Sequence, residues 1–171
     1  MGKKEAQIWV ETVIYTLIFL VLIGLILAYV KPKIEEITDK SLIGQSVEMM
    51  KEIDNVILSI VRGGPGNKRK IEINLNKGAL TIDSVNNKII FEMDSKYTYT
   101  EPGKDVEIGR INARTEKLGK LNKVYLTLNY DYNITYEGNK DKKSITKAPT
   151  PYKLFITHKG GDPTNLDFEI K

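Results

Sequence analysis

The spacing of apolar and polar residues changes along this chain, and each change predicts a different element. Residues 12–30 are 19 consecutive positions without a charge. As an α-helix that run rises ~28 Å, close to the hydrocarbon thickness of a bilayer, so it is expected to span a membrane. A cleavable secretory signal has a shorter apolar core followed by small residues. Ala28-Tyr29-Val30-Lys31-Pro32 is a poor site of that kind. Lys3 and Lys4 precede the segment and Lys31 and Lys33 follow it, so flanking charge does not set its orientation.

Beyond Lys31 the pattern becomes amphipathic. Ile34, Ile37, Ile43, Val47, Met50, Ile53, Ile57 and Ile60 recur at three, four or six residues, one broad stripe of a helix. Pro32 lacks the backbone N–H and crowds the preceding turn, which predicts a kink near residues 28–32. Arg62-Gly63-Gly64-Pro65-Gly66 stops the helix. Residues 7–62 are therefore expected to form one kinked helix of ~84 Å, transmembrane over 7–30 and amphipathic over 31–62. Its stripe suits packing against the downstream domain or a coiled-coil seam with a partner.

After the glycines the period becomes two. Ile71, Ile73 and Leu75 alternate with Lys70, Glu72 and Asn74, and turns at Asn76-Lys77-Gly78 and Asn86-Asn87 divide residues 70–94 into a three-stranded meander. Residues 101–123 are read as a short strand around Val106 and Ile108 with surface loops at Gly109 and Gly119. In VYLTLNYDYNITYE, residues 124–137, Val124, Leu126, Leu128, Tyr130, Tyr132, Ile134 and Tyr136 share one face of a single long strand, with Asn133 and Thr135 on the wet face. Two last strands, 152–158 and 166–170, are joined through Gly160-Gly161-Asp162-Pro163. The fold class is α+β: a long kinked N-terminal helix, then an antiparallel β head domain over residues 63–171 packed on the helix's distal half.

Composition narrows the function. Residues 31–61 hold four bases and six acids, whereas residues 62–171 hold 20 bases and 14 acids. That mild basic excess is spread over lysines without arginine and aromatic clustering or a recognition helix, so no nucleic acid is expected as a partner. There are no cysteines, which removes disulfides and thiolate chemistry.

Catalytic chemistry has few candidates. The one histidine, His158, is expected to be a surface or edge residue, with no second histidine to share a metal. No serine stands in a nucleophile elbow, and Gly63–Gly66 follows a helix instead of preceding one, the reverse of a phosphate loop. No catalytic residue, cofactor or metal is expected, and the chain reads as a non-enzyme. Asn133-Ile134-Thr135 is an N-glycosylation sequon, usable if the domain is exported.

Glu11, at the start of the apolar run, has two readings. In one, it is a headgroup-depth acid that suits the helix dipole. Alternatively, it is held in apolar surroundings because something there needs a carboxylate.

Two lysines, a short leader, a small residue, then Gln7 with Glu11 four positions on and an apolar helix directly after, is similar to the class III signal sequence of type IV pilins, in its archaeal form. Trp9 stands where that family commonly has serine, and Glu5 and Ala6 where it often has lysine or glycine. The resemblance implies cleavage between Ala6 and Gln7 by a prepilin peptidase at the cytoplasmic face, which makes residues 1–6 a leader and keeps the helix. The new amine at Gln7 then needs an acid, and Glu11 is implied to pair with it or with a neighbour's, setting axial register between subunits. The implied molecule has a lollipop shape with its head outside the cell. It is a structural subunit extruded by an assembly ATPase and membrane platform into an adhesive filament of copies of itself. A minor or accessory pilin, or a single-pass anchored β domain acting as a binding module, fits the same residues.

Overall fold

The computed structural model describes residues 3–171, with side chains from Trp9 onward. One helix, α1 (Lys3–Gly63), is followed by ten strands. Pro32 lies within α1. The chain divides into two compact units, one ending at Thr38 and the other spanning Asp39–Lys171.

The described residues of the first unit are all helix. This unit carries the uncharged run, and its apolar side chains are exposed, among them Leu20, Leu25 and Tyr29. Ile34 and Ile37, placed by the sequence on the amphipathic stripe, are exposed here as well. The stripe's buried part begins only at Ile43.

The second unit holds the rest of α1 and both sheets. A four-stranded sheet orders as β1 (Lys68–Ile73), β9 (Tyr152–Gly160), β10 (Asn165–Ile170), β7 (Asn133–Tyr136). A six-stranded sheet orders as β4 (Asp105–Ile108), β5 (Ile111–Leu118), β6 (Leu121–Asn129), β3 (Lys88–Ser95), β2 (Ala79–Asp83), β8 (Lys142–Thr146). Ile43, Val47, Met50, Ile53, Ile57 and Ile60 are buried at steps of three and four residues along α1, the period that keeps side chains on one helix face. They join a single apolar core with the alternating inward residues of the strands, such as Ile71, Leu154 and Phe168 from one sheet and Phe91, Val124 and Leu126 from the other.

Several expectations need correction. β1 pairs with β9, not β2, so residues 70–94 are a β2–β3 hairpin plus a strand of the other sheet. The expected long strand over 124–136 breaks: β6 ends at Asn129, and β7 begins at Asn133 in the four-stranded sheet. Period-two alternation survives a change of sheet, which is why the break was invisible. β7 also runs parallel to β10, so the head is not purely antiparallel. Residues 111–118, read as loop, are a full strand paired with β6 through the Gly119 turn. β8 was not expected at all.

Two side chains are also placed differently. His158 is buried, because β1 and β10 flank its strand on both sides, and its Nδ1 accepts the Gly160 N–H at 2.9 Å. Thr135, expected on the wet face, is buried and donates to Asp167 Oδ1 at 2.8 Å.

Candidate functional site

The residues singled out by the sequence gather at the start of α1. Glu11 is exposed, and its Oε1 accepts the Tyr15 hydroxyl at 3.2 Å, one turn further along the helix. Thr16 also satisfies itself locally, donating to the Thr12 carbonyl at 2.8 Å. Around them the surface is almost wholly apolar: Trp9, Val10, Val13, Ile14, Leu17 and Ile18 are all exposed. An exposed apolar surface of this extent has no place in water, and α1 is long and apolar enough to cross a membrane. Ala6 and Gln7, the expected processing positions, lie outside the residues whose side chains the structure describes.

Polar chemistry resumes past the apolar run, where Lys33 Nζ lies 2.9 Å from Glu36 Oε2. That hydrogen bond and the carboxylate's charge raise the Lys33 pKa above its ordinary value. Within the second unit, buried Asp39 receives the Lys77 ammonium at 2.5 Å and the Lys96 backbone N–H at 2.8 Å. These two donors, from loops following β1 and β3, neutralise a carboxylate on the helix.

The sequon asparagine, Asn133, opens β7 and is half-buried, with its backbone N–H donating to the Thr164 carbonyl at 2.8 Å. His158 has no acidic or histidine partner that gathers a metal with it. Among the described residues, no group of three or more histidines or acids is placed to hold an ion.

Sequence reasoning missed the outward face of β3, β6 and β5. There Lys88, Glu92, Asn112, Arg114, Tyr125 and Thr127 line an open depression. Its members come from three strands in cross-strand register, so no local motif announced it.

No family model, curated protein or solved structure matches this chain.

Proposed function

We propose that this chain is a structural subunit of a type IV pilus-like filament at the cell surface, with adhesion as its use. In this reading a prepilin peptidase cuts between Ala6 and Gln7, and residues 7–30 hold the subunit in the membrane with the β domain outside. An assembly ATPase and membrane platform then move it into a filament whose core is these helices, bent at Pro32 and packed side by side. The observation that carries the proposal is the bare apolar surface of residues 12–30 with an acid set at its threshold. A bilayer covers such a surface before assembly, and copies of the same helix cover it afterwards.

The position of Glu11 supports the same reading. In the proposed subunit the amine freed at Gln7 needs a carboxylate within reach, and Glu11 stands one helical turn away. Among the described side chains its partner is the Tyr15 hydroxyl, which carries no charge to balance it.

Mass spectrometry of the N-terminus from native membranes and from sheared surface material tests the proposal. The expected result is a chain starting at Gln7 in both fractions. A chain that keeps its first residues and is confined to membranes overturns it, leaving a single-pass anchored binding domain.

A further inference from the structure

The outward face of β3, β6 and β5 carries a polar patch that belongs to the β domain and not to the apolar helix. Cross-strand register places Glu92, Tyr125 and Arg114 side by side in one row, and Ile90, Thr127 and Asn112 in the next. Lys88 and Asn129 continue the surface. These residues alternate with the buried Ile89, Phe91, Ala113, Leu126 and Leu128, so the pleat turns them all away from the core. The depression they line holds about 390 Å³, in the size range of ligand pockets.

The acids of this patch are each spent on a base. Arg114 is held by Glu116 Oε1 at 3.1 Å and by Asp105 Oδ1 at 3.5 Å, and Lys123 Nζ lies 3.2 Å from Glu92 Oε1. The lining holds two bases, Lys88 and Arg114, against three acids, Glu92, Asp105 and Glu116, and Lys123 just outside it offsets the third acid by pairing with Glu92. An anion would have to displace carboxylates to reach Arg114, and a cation would compete with fixed bases for the acids. Charge complementarity therefore selects an uncharged ligand.

What is left to recognise a ligand is the Tyr125 ring, with the Lys123 ammonium 5.6 Å from its centroid, one aliphatic side chain, two amides and a hydroxyl. That set matches a pyranose, which has apolar C–H faces and a rim of hydroxyls that both donate and accept. We propose that this face binds neutral pyranose oligosaccharides. Tyr125 and Ile90 take the C–H face of a sugar ring, while the amides of Asn112 and Asn129 and the Thr127 hydroxyl bond the ring's hydroxyls. The site lies wholly within the β domain, so it holds whether or not the chain polymerises.

The test uses the full chain in phosphatidylcholine nanodiscs, titrated by NMR with uncharged hexasaccharides of glucose, mannose and N-acetylglucosamine. At least one is expected to bind, and Tyr125→Ala and Asn112→Ala are each expected to weaken it by about tenfold, the loss of one good contact. Tyr125→Phe keeps the ring and is expected to stay within about threefold of the parent. A thermal melt checks each variant, and if Tyr125→Ala fails to fold, Asn112→Ala carries the comparison. Binding of none of the three sugars overturns the proposal. So does affinity unchanged in the folded variants.

Discussion

Tyr130 donates its phenolic O–H to Asp54 Oδ1 at 3.0 Å, joining α1 to the residue just past β6 across 76 positions of sequence. The other carboxylate oxygen, Oδ2, lies 3.3 Å from Arg110 Nε, and the Arg110 guanidinium stands 5.7 Å from the Tyr130 ring. Asp54 is buried, so this one acid on the helix's inner side is answered by donors from both ends of the β5–β6 hairpin. A buried carboxylate with fewer donors is costly, which makes the trio a fixed point between the helix and the six-stranded sheet.

Removing the two donors should have unequal effects. Tyr130→Phe leaves Asp54 Oδ1 without its donor in a buried position and is expected to cost about 1.5–3 kcal/mol. Arg110 is half exposed, so Arg110→Ala is expected to cost about 1 kcal/mol or less. Urea unfolding of both variants, followed by tyrosine near-ultraviolet dichroism, gives the order. A larger loss for Arg110→Ala would refute this account of the trio.

Alkali should attack the same point. Burial first, and then the negative charge of Asp54 and the hydrogen bond to it, push the Tyr130 pKa well above the ordinary tyrosine value. A group whose pKa is raised on folding adds stability that is complete below its unfolded value, about 10, and is lost as pH rises beyond it. The unfolding free energy is therefore expected to fall above pH ~10, and Tyr130→Phe should flatten that fall. Denaturant titrations from pH 8 to 11 compare the slopes, and identical slopes would remove Tyr130 as the cause.

Ser84 offers a stabilising change. Its hydroxyl is fully buried and makes no hydrogen bond. Ser84→Ala removes an unsatisfied group from the core and is expected to raise stability by about 1 kcal/mol. Thermal unfolding measures it. A lower melting temperature would mean that the hydroxyl has a partner.

These particulars bear on what the sequence disclosed. The buried helix face was legible because Ile43 through Ile60 repeat every three or four residues, and β9 and β10 because turn residues bound their alternating runs. The β5 strand was not legible: Arg114 and Glu116 face outward, and its inward positions include Ala113 and Thr115 in place of large apolar residues. Sheet membership was equally hidden. Nothing in residues 124–136 marks that Leu128 and Ile134 serve different sheets, because each simply occupies an inward position. Of the candidate sites, Glu11 was visible as a charge beside an apolar run, whereas the Tyr125 face exists only through register among three strands.

Gly78 separates two kinds of glycine requirement. Its φ is +87°, and a Cβ there would run into the Glu92 carbonyl oxygen and the Met93 side chain. Gly103 has φ +81° with open space around it. Gly103→Ala is expected to cost about 1 kcal/mol for the left-handed backbone alone, and Gly78→Ala at least about 2 kcal/mol because backbone must also move. Equal losses in denaturant unfolding would show that the hairpin gives way freely.

Glu11→Gln tests the register role in the proposed filament. The substitution keeps the size and a hydrogen-bonding oxygen for Tyr15 while removing the charge, so insertion and N-terminal trimming are expected to proceed as in the parent. Only the pairing with a neighbour's amine disappears. In apolar surroundings a charge left without its partner costs about 2.5–3.5 kcal/mol, enough to reduce assembled subunits by tenfold or more. Cells carrying the variant should therefore accumulate trimmed subunit in the membrane and shed little filament on shearing, both read by immunoblot with the start residue set by mass spectrometry. Glu11→Asp shortens the reach by one methylene but keeps the charge, and should recover part of the assembly. Filaments undiminished in Glu11→Gln would place the acid at headgroup depth, with no part in holding subunits in line.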